Sequence, residues 1–171
     1  DKAVKLDKKR YLPYRAFIKC IFSKNYSQAI NDFEECINTW GDNYEMDHTY
    51  TFYISLSYLQ LKEFEKAENY LQKTINEQKN SQFKEAHHLD LFYYGISLYE
   101  QQKYKEAISV LDEAIKQYPK FSDAIYYKAI CLKKLNKNES EYLDLIKQAE
   151  IYLEKGYTIN EDNAVYETYP Y

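Results

Sequence analysis

Three histidines, three cysteines and a few clustered lysines are the side chains of this 171-residue chain whose types could carry chemistry. His87 and His88 are adjacent, so on a helix they point about 100° apart and do not readily share one metal ion. With Asp90 and His48 they offer at most an improvised ligand set, the alternative being a solvated helix start. No Gly-rich phosphate loop, no paired-cysteine metal motif and no His-Glu-x-x-His sequence occurs. No nucleophile, base or orienting group recurs at a spacing that acyl or phosphoryl transfer would need. The expectation is a protein without a catalytic residue, a metal site or a cofactor.

Cys20, Cys36 and Cys131 are odd in number and spread through helical pattern, which does not suit a disulfide framework. They read as small buried apolar side chains in a reducing compartment, the cytoplasm. The 23 basic and 27 acidic residues leave a net charge of -4, so nothing pulls the chain globally towards nucleic acid or an anionic membrane. Lys133, Lys134 and Lys137 read as a solvated helix end. Lys2, Lys5, Lys8, Lys9 and Arg10 read as a solubilising lead. Only Arg10 and Arg15 are arginines, which gives bidentate readout of bases or phosphates little support. No apolar run approaches the roughly 18 residues of a membrane span, and no signal-peptide pattern opens the sequence. Neither nucleic acid nor membrane is an expected partner.

The elements that would position any site are helices. Hydrophobic residues make up 45% of the chain, enough for a core, while three glycines and three prolines are too few for a turn-rich β fold. Tyr26, Ala29, Ile30, Phe33, Cys36, Ile37 and Trp40 follow the 3, 4, 7 spacing of an amphipathic helix. The series recurs from Tyr104 through Ala107, Ile108, Leu111, Ala114 and Ile115 to Tyr118. It returns from Tyr142 through Leu145, Ile146, Ala149, Tyr152 and Leu153, and more weakly from Phe64 through Ala67, Leu71 and Ile75. Starts at 26, 64, 104 and 142 give offsets of 38, 40 and 38 residues, the signature of a solenoid.

A second helical stretch precedes each copy, joined to it by a turn too short for anything but an antiparallel pair. The resulting division is a lead segment at 1–10, four helix pairs at about 11–40, 47–78, 86–118 and 122–156, and a tail at 157–171. Asp47 and Ser122 are expected N-caps. Pro13 is tolerable in a first turn, so the first helix should start near Tyr11. The extra length over a 34-residue repeat should fall at Gly41 to Met46 and Lys79 to Lys84. Leu135 to Glu141 should form an enlarged turn.

The third pair carries Leu91, Tyr94, Gly95, Leu98, Ala107, Leu111 and Pro119, and in residue type and spacing it resembles the tetratricopeptide repeat. Thr51, Ile54, Ser55, Tyr58, Ala67 and Leu71 match in the second pair, and Pro13, Ala16, Phe17, Cys20, Ala29 and Phe33 in the first. In that family a small residue lets the paired helices approach where they cross, and Gly95, Ser55 and Ala129 fill that role. Phe17 departs from it, so the first pair should splay. The resemblance implies an all-α, right-handed α-solenoid whose first helices line a concave groove that binds a peptide or partner segment. The matching slots are Tyr14, Ile18 and Ile21; Phe52, Tyr53, Leu56 and Leu59; Leu89, Phe92, Tyr93, Ile96 and Tyr99; and Tyr126, Tyr127, Ile130 and Lys133. Tyrosine shows a partner an apolar body and a polar tip at small entropic cost. Burial of part of this lining between repeats is the alternative reading.

The Lys, Asn and Arg clamp with which some co-chaperones of the family hold an acidic chaperone tail is missing, because Tyr14, Ile18, Leu56, Leu89 and Tyr93 stand there. The expected activity is a non-catalytic protein–protein scaffold that takes an apolar or aromatic segment. The alternative is a structural or inhibitory, immunity-like subunit that docks through its outer surface, its groove filled by its own tail. Tyr157, Ile159, Val165, Tyr166, Tyr169 and Tyr171 make that tail apolar, and Pro170 keeps it from ending as a helix.

Overall fold

The structure, a computed structural model, describes residues 2–82 and 84–159. Among them, nine helices run in chain order: α1 (Lys2–Leu6), α2 (Lys8–Ile21), α3 (Tyr26–Trp40), α4 (Tyr50–Gln60), α5 (Phe64–Asn80), α6 (His88–Glu100), α7 (Tyr104–Gln117), α8 (Ser122–Lys134) and α9 (Glu139–Glu154). They pack as the antiparallel pairs α2/α3, α4/α5, α6/α7 and α8/α9, each stacked on the next. The first helices α2, α4, α6 and α8 also touch one another in sequence and form an inner layer. A hairpin of two-residue strands, β1 (Tyr44–Glu45) and β2 (His48–Thr49), interrupts the helices and is the only sheet among the described residues.

The two layers differ in character. The second helices are amphipathic: α7 buries only Ala107, Leu111 and Ala114, one narrow stripe. By contrast, α4 buries nine of its 11 residues and α6 nine of 13. A helix apolar on nearly every side must be enclosed on every side. Aromatic rings do the enclosing. Phe17 meets Tyr53 at 5.5 Å between centroids, Phe52 meets Tyr93 at 5.6 Å, and Phe92 meets Tyr127 at 6.1 Å. Most of these contacts are edge-to-face, the arrangement the ring quadrupole favours.

Turns within the pairs repeat one device. Lys24, Lys62, Gln102 and Asn136 each take a left-handed conformation, with φ between 51° and 61°. The N–H that follows reaches back to the helix just ended, as in Glu63 to Tyr58, Lys103 to Leu98 and Lys137 to Leu132. This closes the helix with an αL residue where glycine is usual. So few glycines suffice because longer side chains tolerate that strain four times.

Several boundaries differ from the sequence expectation. Asp7 caps α2 by accepting from the Arg10 N–H at 3.1 Å, so the helix starts three residues before Tyr11 and Pro13 lies inside it. Thr49, not Asp47, caps α4, because residues 44–49 are taken up by the hairpin. Phe121 precedes α8, and Ser122 is its first helical residue. The 38- and 40-residue spacing is absorbed by the hairpin and by a 17-residue α5. The α8/α9 turn is only residues 135–138. The first pair does not splay: Phe17 points into the stack and α2 packs on α3 as closely as its counterparts.

Gly95 sits at the expected crossing. A Cβ built on it would lie 2.8 Å from Cγ and Cδ2 of Leu111, itself fully buried. Gly95→Leu should therefore cost about 1–3 kcal/mol or more, read as a fall in melting temperature. Gln102→Gly should do the opposite. It relieves an αL residue at a solvated turn and should raise stability by up to about 1 kcal/mol, measured by urea unfolding.

Candidate functional site

Each side chain singled out as reactive has a structural place. Burial pushes the Cys36 and Cys131 thiols up to about 12, so neither supplies a thiolate near neutrality. All three cysteines are buried thiols outside any disulfide. His88 packs edge-on against Tyr118 and Phe121 at 5.6 and 5.7 Å. That burial, with His87 and His48 adding to it, lowers its pKa to about 4. His48 and His87 do line one cavity with Asp90, but among the described residues no group of three His, Cys, Asp or Glu could hold a metal ion.

The expected groove residues fall into two sets. Phe52, Tyr53, Leu56, Phe92, Tyr93 and Ile96 are at most 5% exposed and Tyr127 is 9% exposed. This corrects their assignment as open lining. Their rings and methyls bridge one first helix to the next, because neighbouring repeats wind too tightly to leave a trough between them. Tyr14 and Tyr126 are 47% and 42% exposed. Ile18, Tyr99 and Ile130 are half-buried. The inner face is therefore closed at α4 and along α6 as far as Ile96, and offers side chains at α2, at Tyr99 near the end of α6, and at α8.

Beside α8 lies a cleft of about 230 Å³, lined by Tyr126, Tyr127, Ala149 and Leu153 with Ser122, Asp123 and Glu150 at its polar end. Leu153 is 56% exposed. Sequence reasoning passed over Leu153 because it continues the periodic stripe of α9, which in inner repeats is covered by the next pair. The first residues of the tail reach the same place. Tyr157 O accepts from the Ser122 N–H at 2.9 Å. Asp123 Oδ2 accepts from Thr158 Oγ1 at 2.6 Å and from the Ile159 N–H at 3.1 Å. Ile159 packs against the core. The rest of the expected tail, residues 160–171, lies outside the described residues.

Stacked antiparallel helix pairs with a small residue at the crossing define an α-solenoid. Residues 51–81 and 88–121 match tetratricopeptide-repeat family models, so the second and third helix pairs are tetratricopeptide repeats. Solved structures agree on the fold. A fragment of MamA from Desulfovibrio magneticus RS-1 superposes with a TM-score of 0.71 at 15% identity, over 85% of this chain and 76% of that one. YrrB, described as a tetratricopeptide-repeat protein with an unusual peptide-binding site, gives 0.70 at 18% identity over 96% and 77%. Bacillus thuringiensis PlcR, solved with the peptide PapR7 and DNA, gives 0.69 at 16% identity over 88% and 60%. A search among curated proteins finds no match. Proteins of the family are generally protein–protein interaction scaffolds. No helix among the described residues is long and apolar enough to cross a membrane.

The His88 environment sets a pH dependence. Its folded pKa lies below the free imidazole value, so the unfolded chain takes up the proton first. The stabilisation is complete above about pH 6.5 and is lost as pH falls towards about 4. Replacing it, as His88→Phe, keeps the ring contacts and should flatten the loss of stability over that window, measured by denaturant titrations at several pH values.

Proposed function

We propose that the protein is a non-catalytic scaffold that holds an apolar or aromatic segment of a protein partner, chiefly at the C-terminal end of its inner face. The carrying observation is the α8/α9 cleft, where Tyr126 and Leu153 expose large apolar side chains beside a polar lip. A solvent-facing apolar cleft with a tyrosine rim is what a partner segment can fill. Tyr14, Ile18, Tyr99 and Ile130 extend this contact surface along α2, α6 and α8. Phe52, Tyr53, Leu56, Phe92, Tyr93, Ile96 and Tyr127 act beneath it, by fixing the spacing of those helices. Peptide binding in YrrB and PlcR supports the reading by analogy of fold. No metal or cofactor enters it, and no clamp for an acidic chaperone tail. The three buried thiols suit a reducing compartment, the cytoplasm.

A second reading rests on one observation: residues 157–159 already dock on Asp123 and Ser122, at the lip of the same cleft. In that reading the cleft is closed by the chain's own continuation, and a partner docks on the outer surface, as an immunity-like subunit would.

Panning a displayed random-peptide library separates the two. Peptides rich in Leu, Phe or Tyr should be enriched by the wild-type chain and lost on the double change Tyr126→Glu, Leu153→Glu, with helical circular dichroism retained. Enrichment unchanged by the double variant would remove the cleft from the function. Enrichment only after truncation at Ile159 would favour the second reading.

A further inference from the structure

The histidines and Asp90 that make no metal site line a second cavity, of about 160 Å³, between the hairpin, the N-termini of α4 and α6 and the C-terminal end of α5. Its walls include Asp47, His48, Phe52, Gln78, His87 and Asp90. Asp90 is only 5% exposed. Gln78 Nε2 donates to its Oδ2 at 2.7 Å, and Gln78 Oε1 accepts from the His87 N–H at 2.9 Å, so the amide is held at both ends. Among the described residues no donor reaches Asp90 Oδ1 and no lysine or arginine pairs with it.

A buried carboxylate with one neutral donor is an unusual arrangement, because burial of charge is costly unless a cation or several hydrogen bonds compensate. The α6 N-terminus offsets part of that cost. The remaining oxygen borders a cavity whose volume is about five times the roughly 30 Å³ that one liquid water occupies. The shape and polarity select among cations. A guanidinium binds carboxylate best as a wide planar fork with one bond to each oxygen, and Gln78 already takes one of the acceptor sites of Oδ2, which leaves Oδ1 as the more open oxygen. An ammonium is a compact donor that needs one oxygen. His48 stacks on Phe52, 3.9 Å between centroids, and these two rings form the part of the otherwise polar lining against which a methylene stem can lie, while the exposed Asp47 adds negative charge to the wall.

We infer that this cavity binds a primary ammonium group on an aliphatic stem, with Asp90 Oδ1 as its acceptor. A partner's lysine side chain and a free diamine present the same group. The cavity is lined by none of the residues of the α8/α9 cleft, so the two assignments stand or fall separately.

The test is an NMR titration of the full chain, following the His48 and His87 rings and the Gln78 side-chain amide. Nα-acetyl-lysine methylamide and diaminobutane should shift these signals saturably, and the Nε-acetylated lysine derivative should not. The arginine analogue should bind about tenfold more weakly. Asp90→Asn preserves size and the Gln78 contact; it should abolish saturation while leaving the melting temperature unchanged or higher. Tighter binding of the lysine derivative than of diaminobutane assigns the site to a partner's lysine, and the reverse to a free diamine. Absence of saturable shifts, equal response to the acetylated probe, or equal binding of the arginine analogue would overturn the inference. If Asp90→Asn does not fold, those probes on the wild-type chain decide the matter.

Discussion

The contact on which the rest of the molecule depends is the chain of aromatic rings passing from one first helix to the next. Phe17, Tyr53, Phe52, Tyr93, Phe92 and Tyr127 carry it from α2 to α8. Rings of this size bury large apolar areas and hold their preferred tilted geometry over short distances. Two things follow from so close a spacing. The inner helices are enclosed nearly all round, and the concave trough that widely spaced repeats would leave is filled from within. The polar ends of these rings then need partners, and Tyr53 finds one by donating to Glu45 O at 2.9 Å. That bond ties the hairpin to α4, so the hairpin belongs to the ladder rather than hanging from it.

The outer layer follows from the inner one. With the first helices fixed, α3, α5, α7 and α9 need bury only one stripe, and their other faces carry charge. Ion pairs cross between repeats at Lys79–Glu113, Lys128–Asp112 and Lys103–Glu68, at 2.6, 2.7 and 2.7 Å. Half-exposed pairs of this kind contribute about 0.2–1 kcal/mol each. They fix register more than they add stability. Asp32 is different. It is 7% exposed and receives Arg15 in a two-pronged contact as well as Lys19, so its removal would strand two cations against the first pair.

Repeat length, helix pairing and the glycine at the crossing were legible in the sequence because the second helices are amphipathic. A one-sided stripe such as Ala107, Leu111, Ala114 states both the helix and the face it buries. The first helices carry no such statement. Around α4 and α6 apolar residues occur on every side, so periodicity could not tell which of them faced a groove, and slots inherited from a family with a more open inner face fell on Phe52 and Phe92. The hairpin was hidden for another reason: two-residue strands are too short for an alternation to register. The pocket around Asp90 joins residues 48, 78, 87 and 90, which approach only because the second pair stacks on the third.

The last pair shows what the ladder costs at an end. In the inner repeats the stripe of the second helix is covered by the pair that follows, whereas α9 buries only Ala149 and leaves Leu143, Ile151 and Leu153 at 41%, 48% and 56% exposure. A stack whose stability comes from nearest neighbours carries an apolar face wherever a neighbour is missing. Tyr157, Thr158 and Ile159 cover the lip of that face by hydrogen bonds to the first turn of α8, and Lys120 lies 4.5 Å from the Tyr157 ring. The periodicity that builds the solenoid thus generates its candidate binding surface: the closed interior and the α8/α9 cleft are two results of one stacking rule, applied where the described residues supply a following pair and where they do not.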